Sequence, residues 1–314
     1  MSIPNVPTVP SIWTDEQLAY EAQRSLESFR DRRLAEPATR YPELLAQENR
    51  AVRKLIRLLS AVDPDNPDPA QLRKIWSDAP VFDALRYVAG PPVSIDDLGV
   101  LVTATTNKLT KARLSRDDDL ARATLAMICR LTDDSRFPWV KDRRKAAPEE
   151  IKRAVYATAS LHAAQLMATE RRGYGRKVEV ALSDALIARG FERVAAPNGG
   201  RIVAPNQHPA PRTFYPECSL RARKTDLLIG LSDGRAVAVE AKDSASVLNS
   251  VKRVLNDTAA KARYWDSQCG KTVVPVALLS GVFGVDNLKS AQTDGLYLVW
   301  THDMDGFVSW LEAS

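Results

Sequence analysis

The spacing of apolar residues divides the chain near residue 172. Before that point, apolar side chains recur at intervals of three and four, which is the period of an amphipathic helix. The clearest case is the segment 41–62, whose apolar positions are Leu44, Leu45, Val52, Leu55, Ile56 and Leu59. The same spacing predicts helices over 14–35, 70–77, 95–105, 118–131 and 148–170. We therefore predict an all-helical N-terminal domain over residues 1–172.

After residue 173, helical and extended patterns alternate. A helix over 175–189 is expected to end at Gly190, and apolar runs then predict strands around Asp226 and Glu240, over 272–279 and over 296–301. Helices are predicted over 246–265, 287–293 and 304–313, and the proline-rich segment 196–216 is predicted to be irregular. The fold class is thus α+β, a helical part followed by an α/β core (residues 173–314) with a central mixed sheet.

One hairpin-like segment, KTDLLIGLSDGRAVAVEAKD over residues 224–243, combines polar and apolar positions in an unusual way. Side chains of a strand alternate between faces, so Glu240 and Lys242 share one face. A three-residue loop with Gly234 in a left-handed bulge pairs Leu231 with Arg235. Asp226 then lies opposite Glu240, about 5 Å away between Cβ atoms. A two-residue loop would place Asp226 on the other face, and we predict the three-residue loop.

Composition and charge limit the class of protein. The chain of 314 residues is 45% hydrophobic and 26% charged, which is ordinary for a soluble globular protein. No apolar run approaches the roughly 18 residues of a membrane span, and the first residues do not resemble a signal peptide. Three scattered cysteines suggest a reducing cytoplasm and no zinc site. The net charge of +5 is compatible with a polyanionic partner.

The hairpin carries the groups needed to hydrolyse a phosphodiester. Two carboxylates this close repel each other, and a divalent cation relieves that repulsion. Mg²⁺ prefers hard oxygen ligands, which Asp226, Glu240 and the carbonyl of Ala241 can supply. Lys242 would orient or help to deprotonate the attacking water. A Glu-x-Lys pair on a strand is more often a solvated surface, but the aspartate opposite Glu240 favours a nuclease site.

The C-terminal part also resembles a known family. Over residues 217–312 the chain is similar to XamI-type type II restriction endonucleases, through VEAKDSASVLNSVKRVLNDTAAKARYW, VVPVALLSGVF, NLKSAQTDGL and VWTHDMDGF, and RFPWV at 136–140 extends the similarity. The resemblance implies a PD-(D/E)xK nuclease core, whose triad falls on Asp226, Glu240 and Lys242. Asp226 follows Thr225 instead of the proline of that motif. The resemblance also implies Mg²⁺-dependent hydrolysis of double-stranded DNA by a homodimer.

Further residues are candidates for the same site. Glu179 lies in the helix before the sheet, where related cores often carry an acid that faces the metal. The candidates for DNA contact are polar or basic residues that flank the triad along the chain. They are Arg221, Arg223, Lys224, Ser244, Ser246, Asn249, Lys252 and Arg253. Arg221, Arg223 and Lys224 lie just before Asp226 in the sequence and are the better candidates, whereas a solvated surface is about equally compatible with the others.

Three functional readings remain open from the sequence. The first is a restriction endonuclease whose N-terminal domain serves DNA recognition or dimerisation, accompanied by a DNA methyltransferase acting on the same site. The second is a repair or recombination nuclease of the same fold, which cuts by DNA structure. The third is a DNA-binding protein that has lost catalysis, and the complete triad argues against it. We expect double-stranded DNA as partner, with no membrane partner.

Overall fold

A computed structural model describes residues 9–63, 65–105 and 108–314, without the side chains of Lys252 and Arg253. The chain forms two compact units. One unit is Ala35–Arg171, and the other combines Met1–Leu34 with Arg172–Ser314. No helix in the described part of the chain is long and apolar enough to cross a membrane.

The unit Ala35–Arg171 is built from helices, as predicted. They are α2 (Arg40–Leu59), α3 (Pro69–Ser77), α4 (Ala79–Leu85), α5 (Ile95–Thr103), α6 (Lys111–Arg116), α7 (Asp118–Leu131), α8 (Pro138–Lys141) and α9 (Pro148–Arg172). Several begin at a side chain that accepts from the first helical turn, such as Asp78 from the N–H of Val81 and Ser94 from that of Asp97. The unit's core surrounds Trp76.

The first helix, α1 (Asp15–Ala35), corrects the predicted domain boundary. Its residues up to Leu34 belong to the C-terminal unit, not to a helical domain over 1–172. Leu18 and Ala22 are buried in the same cluster as Leu279 of the C-terminal sheet, and the hydroxyl of Ser25 donates to the carbonyl of Gly281 at 2.8 Å. Local periodicity identifies a helix but does not show which core its apolar face joins.

The C-terminal unit contains a mixed six-stranded sheet. Its strands are β1 (Glu192–Arg193), β3 (Thr213–Tyr215), β6 (Leu227–Gly230), β7 (Ala236–Ser244), β8 (Val273–Gly281) and β9 (Tyr297–Trp300), in the order β1-β3-β6-β7-β8-β9. Strands β6 and β7 are antiparallel, whereas β7, β8 and β9 run parallel. This is the predicted restriction-endonuclease-like α+β core with a central mixed sheet.

Helices cover both faces of this sheet. One face packs against α10 (Tyr174–Ala188) and α15 (Met304–Ala313). The other face meets α1, α13 (Ala260–Cys269) and α14 (Val285–Thr293). Helix α13 continues α12 (Val247–Ser250) through a π-helical segment (Val251–Ala259). Strand β8, as far as Leu279, and the first four residues of β7 are apolar because both faces of these strands are buried.

A second, three-stranded sheet lies within the segment that the sequence predicted to be irregular and just after it. Its strands β2 (Arg201–Ile202), β4 (Cys218–Leu220) and β5 (Arg223–Thr225) pair in the order β2-β4-β5. A short turn, α11 (Pro197–Gly200), precedes β2, and Asn198 and Gly199 within it have left-handed backbone angles. These strands have only two or three residues each, too few for alternation to be visible in the sequence.

The predicted register of the β6–β7 hairpin is confirmed. The N–H of Leu231 donates to the carbonyl of Arg235 at 2.9 Å, and Gly234 has a left-handed φ of +84°. Leu227 pairs with Val239, so the ladder runs straight toward Asp226 and Glu240. The register therefore brings the two carboxylates to the same end of the hairpin.

Candidate active site

Asp226 lies where the chain passes from the small sheet into the large one. It follows β5 and precedes β6, and its N–H donates to the carbonyl of Val239 at 3.0 Å. Because β6 ends there, the N–H of Ala241 on β7 has no strand partner on that side. The Asp226 carboxylate takes that place, accepting from Ala241 at 2.8 Å through Oδ2. This hydrogen bond fixes the carboxylate beside the preceding residue on β7, Glu240.

Glu240 is a buried carboxylate held between two lysines. Its side chain is 1% exposed. One oxygen, Oε2, accepts from Lys242 Nζ at 2.8 Å, and the other, Oε1, accepts from Lys261 Nζ at 2.8 Å. Lys242 also reaches Asp257 Oδ2 at 3.1 Å. The site therefore holds a compact set of alternating charges that is buried at Glu240 and reaches solvent at Asp257.

Burial and the neighbouring charges shift the pKa values of Glu240 and Lys242. Burial raises the pKa of Glu240, Asp226 raises it further, and the neighbouring Lys242 and Lys261 oppose that shift. For Lys242, burial alone would lower the pKa, but the carboxylates of Glu240 and Asp257 outweigh burial and raise it. Lys242 is thus a cation in this arrangement, with its proton held by carboxylates.

Glu179 on α10 lies close enough to Asp226 and Glu240 for their charges to shift its pKa. Burial is the main reason that its pKa is raised, and repulsion from Asp226 is the next. The start of α10 also passes near the carbonyl of Ala241, since a Cβ on Gly175 would lie 3.9 Å from that oxygen. The helix thus brings Glu179 toward the side of the site where Asp226 and Ala241 meet.

The oxygen atoms around Asp226 have the chemistry that a hard divalent cation prefers. They come from Asp226, Glu240, Glu179 and the carbonyl of Ala241. Burial is the main cause of the raised pKa of both Glu179 and Glu240, and repulsion from Asp226 adds to it, so a cation beside Asp226 would relieve that repulsion. Among the described residues, no three His, Cys, Asp or Glu side chains are already arranged as a metal cluster. Mg²⁺ commonly needs only one or two carboxylates and keeps several waters, so the donors fit it.

The predicted DNA-contacting residues that precede Asp226 in the sequence lie on an exposed hairpin. Arg221, Arg223 and Lys224 are exposed, at or next to the turn between β4 and β5. The guanidinium of Arg223 lies 5.5 Å from the ring centroid of Tyr264. Lys224 forms an ion pair with Glu217 at 2.7 Å. Along the chain, the hairpin leads directly into Asp226.

The predicted DNA-contacting residues that follow Lys242 in the sequence differ in burial and in their hydrogen bonds. Ser244 is fully buried and donates to the carbonyl of Ser246 at 2.9 Å, so this geometry does not support its predicted phosphate contact. The hydroxyl of Ser246 caps α12 by accepting from the N–H of Asn249 at 3.2 Å, and Asn249 is exposed. The side chains of Lys252 and Arg253 lie outside the described part of the structure, and their role stays a prediction.

Comparison with known proteins identifies the family of the chain. The family model for XamI restriction endonucleases matches residues 65–300. The type II restriction enzyme XamI of Xanthomonas campestris pv. amaranthicola is 35% identical over 273 residues, which are 85% of this chain and 96% of that protein. The chain belongs to the XamI restriction endonuclease family. The resemblance inferred from the sequence motifs is thereby confirmed, and no solved structure matches the chain significantly.

Lys261 belongs to the candidate site of this XamI family member, although no motif in the sequence identified it. Lys261 follows the triad by about twenty residues on α13, and Asp257 lies one helical turn before it. Their i, i+4 spacing places both on one helical face, which is the available signal. Periodicity alone could not show that this face meets Glu240 and Lys242, because that depends on how the helix packs on the sheet.

Proposed function

We propose that this chain is a Mg²⁺-dependent type II restriction endonuclease that hydrolyses double-stranded DNA at a specific sequence. The single observation that supports this most strongly is the buried carboxylate of Glu240, which lies beside Asp226 and is paired with Lys242. Burying such a group costs several kcal/mol, by an order-of-magnitude figure for ions in protein interiors. A structural role at the end of β7 would not need it, whereas hydrolysis of a phosphodiester does.

The residues that would hold the cation are Asp226, Glu240 and the carbonyl of Ala241, with Glu179 as a further acid. When bound, Mg²⁺ supplies an activated water and neutralises charge on the scissile phosphate. Asp226 is already fixed by its hydrogen bond from Ala241, so one oxygen is oriented and the other is available. Glu240 can exchange one of its two lysine partners for the cation without losing the other.

Lys242 would act as a cation, not as a base. Its raised pKa means that Nζ keeps its proton at neutral pH. In that state it donates hydrogen bonds, orients the attacking water and offsets negative charge on the phosphate as the transition state forms. Asp257, which is half exposed and 3.1 Å from Nζ, can hold the amine in position while Glu240 turns toward the cation.

The proposed substrate also implies how the protein assembles and where it works. One active site per chain cuts one strand, so a palindromic target is cut on both strands by a twofold homodimer. We propose that the helical unit contributes DNA recognition or the dimer interface. A nuclease with a short target would also cut its own genome, so a methyltransferase for the same site must accompany it in the cytoplasm.

The test is digestion of an unmethylated plasmid with and without Mg²⁺, followed by sequencing of the ends. We expect discrete fragments with one common end sequence in Mg²⁺ and none in EDTA. Lys242→Ala should abolish cutting but keep DNA binding, whereas Lys271→Ala, a matched change at an exposed lysine paired with Asp266, should cut normally. Cleavage of branched DNA alone would indicate a repair nuclease, and binding without cutting by the unaltered protein would indicate an inactive binder.

The dimer is tested separately by analytical ultracentrifugation with the cognate duplex. We expect two protein chains per duplex at concentrations where both strands are cut. One chain per duplex under conditions of complete double-strand cleavage would contradict the proposed twofold assembly.

A further inference from the structure

The hairpin between β4 and β5 is held rigidly at its tip. Leu220 pairs with Arg223, which leaves Arg221 and Ala222 as a two-residue turn. The indole N–H of Trp265 donates to the carbonyl of Leu220 at 3.2 Å, and the N–H of Ala222 donates to the hydroxyl of Tyr264 at 3.3 Å. The tip is therefore fixed to α13, the helix that also supplies Lys261 to Glu240.

Arg221 adopts a backbone conformation that arginine normally avoids. Its φ is +57°, in the left-handed region, and its N–H donates to the carbonyl of Ile202 at 2.7 Å. For a residue with a Cβ this conformation costs about 1–2 kcal/mol, and glycine or asparagine is the usual choice in such a turn. Residues held in such strained conformations cluster at functional sites, so the side chain of Arg221 is a candidate for a functional contact.

The guanidinium of Arg221 differs from the neighbouring cations in having no partner. Within residues 9–63, 65–105 and 108–314, its side chain makes no hydrogen bond or ion pair, although Arg223 lies over Tyr264 and Lys224 pairs with Glu217. The side chain is exposed. The turn, at the end of β5 away from Asp226, thus presents five N–H donors to solvent that have no protein partner among the described residues.

The sheet behind this turn has a cationic outer face. The register places Arg201 opposite Ser219 and Ser219 opposite Lys224, so these three side chains share one face. Ile202 and Leu220 occupy the opposite face and are buried. Only the β4–β5 turn at the tip of this three-stranded sheet need enter the DNA major groove, which is about 12 Å wide. From Arg221 to Asp226 the chain spans at most about 17 Å, or roughly five base-pair steps of 3.4 Å.

We propose that Arg221 is a specificity-determining residue that reads a guanine edge in the major groove, while Arg201 and Lys224 contact phosphates. Arginine donates two parallel hydrogen bonds to the O6 and N7 atoms of guanine, a pattern that the other bases do not offer. The rigid turn fixes where that contact falls relative to the scissile phosphate. This inference rests on the proposed endonuclease function and assigns part of its sequence specificity to one residue.

The test compares Arg221→Gly with the unaltered protein, because glycine adopts the left-handed turn without strain and preserves the hairpin. Genomic DNA is digested with each protein in Mg²⁺, and the ends are sequenced. We expect the variant to be at least as heat-stable as the unaltered protein but to lose discrimination at one base pair per half-site, by roughly 5- to 150-fold. Lys224→Ala is the matched control, and it should weaken binding to all sequences alike and reduce the salt slope by about 1.

Two outcomes would overturn the inference. If Arg221→Gly keeps the same fidelity but binds all sequences more weakly, with a smaller salt slope, then Arg221 contacts a phosphate. If fidelity and affinity are both unchanged, Arg221 does not contact DNA. Both outcomes leave the proposed endonuclease function standing, because in both the unaltered protein cuts at a defined sequence. Failure of the unaltered protein to cut any DNA would instead overturn the proposed function together with this inference.

Discussion

Removing Glu240 should destabilise the C-terminal unit as well as abolish cleavage. In Glu240→Ala, Lys242 and Lys261 lose a carboxylate at 2.8 Å from each, although their side chains are only 14% and 16% exposed. Loss of one partner from a buried ion pair costs about 3–5 kcal/mol. Since Lys242 keeps Asp257 and both lysines retain some hydration, we expect about 3 kcal/mol. Domains are stable by about 5–15 kcal/mol, so the variant remains folded.

A double-mutant cycle that combines Glu240→Ala with Lys261→Ala measures the interaction energy between these two side chains. Removing both groups leaves no unpaired charge on α13, so Glu240→Ala/Lys261→Ala should be more stable than Glu240→Ala by about 1–2 kcal/mol. Urea unfolding followed by circular dichroism, at fixed pH and without added metal, gives the four free energies. Additive effects, with a coupling energy near zero, would show that Lys261 does not pair with Glu240 in solution and would refute this reasoning.

Other residues give predictions of the same kind. Arg32→Ala should cost about 3 kcal/mol of stability, because its ion pair at 2.9 Å with the buried Asp243 is lost; Arg30→Ala, an exposed change on the same helix, is the control in urea unfolding. Burial and a neighbouring carboxylate raise the pKa of Glu179 above its ordinary 4.5, so folded protein binds that proton more tightly than unfolded protein. Stability should therefore fall as pH rises from 4.5 through the raised value, and Glu179→Gln should remove this part of the pH profile. Burial raises the pKa of Cys218 to about 12, so its thiol should resist alkylation by iodoacetamide at neutral pH, as mass spectrometry of the peptides would show.

The hairpin register could be predicted because side-chain alternation and the turn sequence give the same answer. Only the three-residue loop places Asp226 and Glu240 together, and the left-handed Gly234 confirms it. Helices with strong periodicity were predicted for the same reason, and α7 and α15 have the predicted bounds. These features depend on neighbours along the chain, where the sequence is directly informative.

The features that were missed depend on packing between distant segments. Lys261 reaches Glu240 only because α13 lies across β7, and Leu18 joins the C-terminal core only because α1 packs on the sheet. The predicted phosphate contact of Ser244 is not supported, because this last residue of β7 is buried and its hydroxyl donates to the carbonyl of Ser246. Periodicity gives the apolar face of an element but does not identify the surface that covers it.

The most direct test of the proposed site is the cleavage rate of Asp226→Asn. Asparagine keeps an oxygen that accepts from the N–H of Ala241, so the fold is preserved while one charge is removed. We predict that Mg²⁺-dependent cleavage of a cognate duplex falls by at least about 10³-fold, since loss of even one transition-state donor commonly costs 10²–10³. Binding of the same duplex in Ca²⁺ should persist. Near-normal Mg²⁺-dependent turnover by this variant would contradict the assignment of the active site.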